Sequence, residues 1–272
     1  MNRYLGVINK LLSGSYISPF SKKNISLPFE EIVIEKSIEN LRFRFAKKLL
    51  NKKNLVISGE NSFNAFGEKV LKTLKSNHLD FDLNILRKYE ASRIFASNLS
   101  ESSKGYENII VIGSGALIDL CKFVSFNNNQ NLIVFCSSLT AAATTSTVSL
   151  TNNGVKESEK SKIPLSIIID LDNLKLAPHR LLRSALGDVI CRSTCQVDWL
   201  TSHLLLNTEY DETPFALQYE DEKILLENSS KLLIGDYETL AALSRMTLLN
   251  GIAAIIVGST HAGSMGEHLI SH

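Results

Sequence analysis

Three stretches of the 272-residue sequence combine residue types and spacings that can do chemistry. In the first, Asn108 to Lys122, the apolar run Ile109 to Ile112 leads into Gly113-Ser114-Gly115. Ala116, Leu117, Leu120, Phe123 and Val124 then recur at helical spacing. A buried strand, a glycine turn and a helix offer free backbone N–H groups and the positive end of a helix dipole to a phosphate. Gly113 and Gly115 are read as supplying positive φ and a close backbone approach. With Ile118 where a third glycine would stand, the turn is neither Gly-x-Gly-x-x-Gly nor a Walker loop. A phosphate site and a plain strand-to-helix turn both remain open.

The second stretch places Gly187-Asp188 inside an apolar helical run, Leu181 to Cys195. A carboxylate there needs a metal, an arginine or a helix N-terminus, and Arg183 and Arg192 are the ordinary partners. The third, Gly266 to His272, sets His268 and His272 four residues apart on one helix face. Two neutral imidazoles so placed can share a metal, or they can be a structural pair. Glu60, just after a strand, is placed either to accept from a ribose hydroxyl or to sit in a solvated loop.

These residues need elements to position them. Strands are expected at Glu31–Ile34, Asn54–Ser58, Phe81–Ile85, Ile109–Ile112, Leu132–Phe135 and Ser166–Asp170. Helices between them are expected from Ser37 to Leu50, after Gly59-Glu60-Asn61-Ser62 through Lys75, and around Lys88 to Leu99. A charged hairpin or loop is expected from Asn152 to Lys162. Short, continuous apolar strands alternating with helices argue for a parallel α/β domain. Beyond Asp172 the pattern is helical: Leu181–Leu206, Glu220–Leu233, Tyr237–Val257 and a last helix opening near Gly263. The domains are therefore drawn as 1–172, a Rossmann-like α/β domain with a parallel sheet, and 173–272, all-α.

Lys+Arg 29 against Asp+Glu 28 leaves a net charge of +1, so no electrostatic footprint argues for nucleic acid or an anionic membrane. No membrane span or signal peptide is expected. Cys121, Cys136, Cys191 and Cys195 read as buried thiols in a reducing, cytoplasmic setting.

Taken in order, these stretches resemble the iron-containing alcohol dehydrogenase and dehydroquinate synthase-like superfamily, most of all its sn-glycerol-1-phosphate dehydrogenases. Gly113-Ser114-Gly115-Ala116-Leu117-Ile118-Asp119-Leu120-Cys121-Lys122 is similar to the family's Gly-Gly-Gly-x-x-x-Asp-x-x-Lys loop. Cys136-Ser137-Ser138-Leu139-Thr140 stands at its Pro-Thr-x-x-Ser. Ala177-Pro178-His179-Arg180, Gly187-Asp188 and Asp198-Trp199 match further landmarks, and Gly258 to His272 matches its late Glu-His-x-x-Ser-His segment. The resemblance implies NAD or NADP bound by Gly113, Ser114, Gly115, Asp119, Ser137, Ser138, Thr140 and Glu60. It also implies Asp188 and His268 as ligands of a catalytic divalent metal, usually zinc, and an active site in a cleft between the domains. The implied substrate is a small phosphorylated polyol, glycerone phosphate being reduced to sn-glycerol 1-phosphate, and a homo-oligomer is possible in this scaffold. Ala142 and His261-Ala262 depart from the pattern, and the sequence ends at His272 before the family's third histidine ligand. The expectation is of a C-terminally truncated member, active, or surviving as a non-catalytic remnant; a dehydroquinate synthase-like lyase is the other enzymatic reading.

Overall fold

The computed structural model describes residues 3–266 and 270. Apart from a two-residue antiparallel pair, Tyr16–Ile17 with Asn24–Ile25, its strands in chain order are β1 (Glu31–Glu35), β2 (Asn54–Gly59), β3 (Asp82–Leu86), β4 (Asn108–Gly113), β5 (Asn131–Cys136), β6 (Thr147–Asn152), β7 (Val155–Lys160) and β8 (Ser166–Asp170). Six of them form one wholly parallel sheet in the order β1-β8-β5-β4-β2-β3. Every residue of β2, β4 and β8 is buried. These are the strands that read as unbroken apolar runs, as a sheet covered on both faces requires. Val56, Ile110, Ile112, Ile133, Phe135 and Ile168 carry one face into a core with Phe43, Phe45, Phe66 and Val70. β6 and β7 pair as the antiparallel hairpin expected near Asn152.

Helices follow the strands. After β2 comes a short helical turn, Glu60–Ser62, then a π-helical turn, Phe63–Gly67, and then α1 (Glu68–Ser76). α2 spans Arg93–Ser102 and α3 Gly115–Asn127. Later in the chain come α4 (His179–Ile190), α5 (Arg192–Leu206), α6 (Thr213–Asn228) and α7 (Tyr237–Val257). α7 is long and apolar enough to cross a bilayer by length and composition, but most of it is buried in the protein, as befits a core helix.

The chain divides into two compact units, Pro28–Leu176 and Met1–Leu27 with Ala177–His272. The opening segment thus groups with the helices and not with the sheet to which the sequence pattern joined it. Two polar contacts account for this. Arg245, already bound through Nε to both Asp221 oxygens at 3.0 and 2.9 Å, donates from Nη1 to the Tyr4 carbonyl at 2.7 Å. Ser18 Oγ meets Thr213 Oγ1 at 2.7 Å.

Two helices expected from periodicity are altered. Between Ser37 and Leu50 only Ala46–Leu49 is helical. Asn40 takes φ 62°, and the Asn77 side chain accepts from Phe43 N at 3.0 Å and donates to the Leu41 carbonyl at 2.9 Å. Long-range hydrogen bonds therefore hold an irregular path that still buries Ile38, Phe43 and Phe45. The expected Leu181–Leu206 helix is interrupted at Cys191, where α4 ends and α5 begins.

Candidate functional site

Successive strands leave the centre of the sheet in opposite directions. β2 is followed by β3 toward one edge, and β4 by β5 and β8 toward the other. The switch point lies between β2 and β4, where open parallel sheets take ligands at the carboxyl ends of their strands. β2 ends at Gly59 and β4 at Gly113, in adjacent register.

At Gly113 and Gly115 the sequence reading needs a correction: neither has positive φ. Space explains them instead. A Cβ on Gly113 would stand 2.9 Å from Leu117 Cδ2, and one on Gly115 would stand 3.1 Å from Thr140 Oγ1. Ser114, in extended conformation, is the N-cap of the 13-residue α3, yet its side chain makes no capping hydrogen bond. No side-chain cap therefore claims the N–H groups of the first turn, the arrangement an anion exploits.

The loop after β5 is laced to this turn. Ser137 N donates to the Gly113 carbonyl at 2.9 Å, and Ser137 Oγ meets Ser62 Oγ at 3.0 Å. The Ser137 carbonyl accepts from Asn173 Nδ2 at 3.1 Å. Ser138 is buried, and Thr140 Oγ1 accepts from Ala142 N at 3.2 Å. Gly113, Ser114, Gly115, Ser137, Ser138 and Thr140 are thus gathered at one end of the sheet, with exposed Glu60 just beyond β2. A cleft of about 520 Å³ at the opposite, amino ends of β2 and β3, lined by Lys52, Asn54, Asp82 and Tyr106 among others, lies away from these groups.

Asp119 turns elsewhere. It accepts from Ser149 N in β6, and its Oδ1 is buried without a hydrogen-bond partner. Its neighbour Lys122, fully buried, donates to the Ala142 carbonyl and Thr145 Oγ1 at 2.8 Å each and to the Thr147 carbonyl at 3.1 Å. Burial pushes the Asp119 carboxyl up to about 6, against the pull of Lys122. Burial also lowers the Lys122 ammonium to about 8, against the opposite pull of Asp119. The pair therefore ties α3 to the loop and hairpin behind it.

A pH dependence follows from the raised carboxyl. In the folded chain Asp119 holds its proton to a higher pH than when unfolded, so this contribution is complete below the unfolded value and is lost as pH rises through about 6. Between pH 4 and 6, wild-type stability should fall relative to Asp119→Asn and then level off, as measured by urea unfolding at several pH values. A constant difference across that window would show that Asp119 does not titrate this way.

Asp170, which the sequence reading used only as a strand end, is fully buried at the end of β8. Its oxygens accept from Ile38 N at 2.9 Å and Asn173 N at 2.8 Å, and Lys69 Nζ lies 2.6 Å away. The one available signal was a carboxylate closing the apolar run Ser-Ile-Ile-Ile-Asp.

In the helical unit Asp188 is half-buried near the end of α4. Arg192, an expected partner, pairs with Glu222 and donates from Nη2 to the Phe215 carbonyl at 2.8 Å. Asp198 and Cys191 bring the chain leading to His268 alongside this stretch: Gly266 N donates to Asp198 Oδ2 at 3.2 Å, and Cys191 Sγ lies 3.7 Å from the Gly263 carbonyl. Trp199 is a buried core indole, donating from Nε1 to the Glu209 carbonyl at 2.6 Å. His268 and His272 lie outside the described residues. Among the described residues no group of three or more His, Cys, Asp or Glu side chains is arranged to hold a metal.

A family model described as iron-containing alcohol dehydrogenase matches residues 33–178. The chain is 29% identical over 256 residues to a glycerol-1-phosphate dehydrogenase (NAD(P)+) of Picrophilus torridus, covering 92% of this chain and 71% of that one. It is 30% identical over 254 residues to the enzyme of the same name from Hyperthermus butylicus, covering 91% and 71%. Of the enzyme of the same name from Methanobrevibacter smithii, 27% identical over 227 residues, the chain spans 64% of the length. A solved glycerol dehydrogenase from Schizosaccharomyces pombe shares the fold, with a TM-score of 0.71 at 20% identity, over 88% of this chain and 63% of that one.

Proposed function

The chain belongs to the iron-containing alcohol dehydrogenase family, and from that premise we propose that it is an NAD(P)-linked oxidoreductase interconverting glycerone phosphate and sn-glycerol 1-phosphate. The observation that carries the dinucleotide part is α3, a 13-residue helix opening at the switch point with no side-chain cap. The Gly113–Gly115 turn would receive the pyrophosphate, with Ser137, Ser138 and Thr140 walling it and Glu60 next to the neighbouring strand. When bound, the nicotinamide supplies or accepts the hydride. The polyol phosphate is inferred from the names of the relatives and the order of motifs.

A catalytic zinc takes three protein ligands. Asp188 is one candidate donor, so the described residues do not by themselves make the site. A metal in this chain would draw on His268 and a further donor.

Purified without chelators, the chain is expected to bind NADH or NADPH, and Gly115→Val, crowding Thr140, to weaken that binding at least about tenfold. It is expected to hold about one zinc, lost in Asp188→Ala and His268→Ala, and to reduce glycerone phosphate. A wild type that binds neither dinucleotide overturns the cofactor reading. Dinucleotide binding without zinc, even with metal supplied, overturns the metal reading and leaves a family fold stripped of its catalytic chemistry.

A further inference from the structure

We propose that Cys191 and Cys195 form a redox-modification site, a dithiol that closes to an intramolecular disulfide on exchange with a small disulfide such as oxidised glutathione. Their sulfurs are 4.0 Å apart. Cys195 N donates to the Cys191 carbonyl at 2.9 Å, so the two residues stand one helical turn apart on the same face. Four residues of helix rise about 6 Å, within the span of about 4.4–6.8 Å that a disulfide accepts between α-carbons. Cys191 is also the break between α4 and α5. Its ψ of −9° departs from the helical value, so the closing motion falls at a joint between helices and not inside one.

The two thiols differ in access, as a two-step exchange requires. Cys191 is half-buried and Cys195 fully buried. The Cys191 sulfur attacks the small disulfide, forming a mixed disulfide and releasing one small thiol. Cys195, already in contact, then attacks the Cys191 sulfur and expels the second small thiol. Two protein thiols become one S–S bond, one small disulfide is reduced to two thiols, and the two protons leave on those thiols. Cys121 and Cys136 lack this access: both are fully buried, and burial pushes both thiols up, that of Cys136 to about 12.

Position gives the bridge something to act on. Cys191 Sγ lies 3.0 Å from the Asp188 carbonyl and 3.7 Å from the Gly263 carbonyl. It stands between the end of α4 and the chain leading toward His268. Closing the bridge consumes the S–H that faces these two carbonyls, so oxidation would be felt where those segments meet. A transient disulfide of this kind is the form that sensing takes in a chain whose thiols are otherwise kept reduced.

The test treats the folded, reduced 272-residue chain with oxidised glutathione. Remaining thiols are then blocked with iodoacetamide in denaturant, and the chain is digested with trypsin. Arg192 stands between the two cysteines, so cleavage after it leaves the peptides Ser184–Arg192 and Ser193–Lys223 joined only if the bridge has formed. Wild type should yield that linked pair, with two of its four thiols no longer alkylated, and dithiothreitol should separate it. Cys195→Ser should stop at glutathione carried on Cys191, and Cys191→Ser should leave Cys195 unmodified. Four alkylated thiols in wild type, glutathione retained on Cys191, or pairing with Cys121, Cys136 or another chain would each overturn the assignment. None of these outcomes depends on dinucleotide or metal binding, so the assignment and the proposed function stand or fall separately.

Discussion

Lys122→Met is expected to lower the unfolding free energy by about 3–5 kcal/mol, the cost of breaking a buried charge pair from one side. The ammonium is fully buried, donates to the Ala142 and Thr147 carbonyls and to Thr145 Oγ1, and is the charge that opposes the desolvation of Asp119. Methionine fills much the same volume, so the loss comes from the polar groups left behind and not from a cavity. Urea unfolding should show a lower midpoint with an unchanged slope. Removing the second charge as well, in Lys122→Met with Asp119→Leu, should recover part of the loss, because a buried pair replaced by apolar groups is often close to neutral. If the double variant is as unstable as the single, Asp119 is not the group that Lys122 compensates. The loop that Lys122 fastens continues from Ser137 and Thr140, so weaker dinucleotide binding should accompany the change.

Asp170→Ala is the second large effect, again about 3–5 kcal/mol. One carboxylate serves three donors here: the N–H groups of Ile38 and Asn173 and the ammonium of Lys69. Alanine strands both N–H groups in the interior and leaves Lys69 without its nearest carboxylate, Asp172 being 4.0 Å from it. Asp170→Asn retains an acceptor without the charge and should fall between wild type and alanine. A loss of under about 1 kcal/mol for Asp170→Ala would mean that water or Asp172 replaces the carboxylate, and that the network contributes little to stability.

Much of the fold was already present in local pattern. β2, β4, β5 and β8 were legible because a strand buried on both faces has no polar alternation to disguise it. α7 was legible from Tyr237 to Val257 because Asp236 caps its start and Gly258, at φ 70°, ends it. The strand, turn and helix around Gly113–Gly115 were legible too, and Ser137 is hydrogen-bonded to the Gly113 carbonyl.

The rest was decided in three dimensions. The 37–50 segment has helical periodicity, but Asn77, distant in sequence, supplies the hydrogen bonds that hold it irregular. Gly113 and Gly115 are glycines because of what packs beside them, which their own dihedral angles do not reveal. The spacing that aligns Asp119 with a phosphate loop cannot say which way the side chain turns. That is set by β6 and by Lys122. The domain boundary drawn at residue 172 joins the opening segment to the sheet, but Arg245 and Thr213 hold it to the helices. Periodicity along a chain records burial, and burial marks which side chains enter the core. Which group answers a buried donor, carboxylate or ammonium depends on contacts between distant segments, and only the packed chain brings those together.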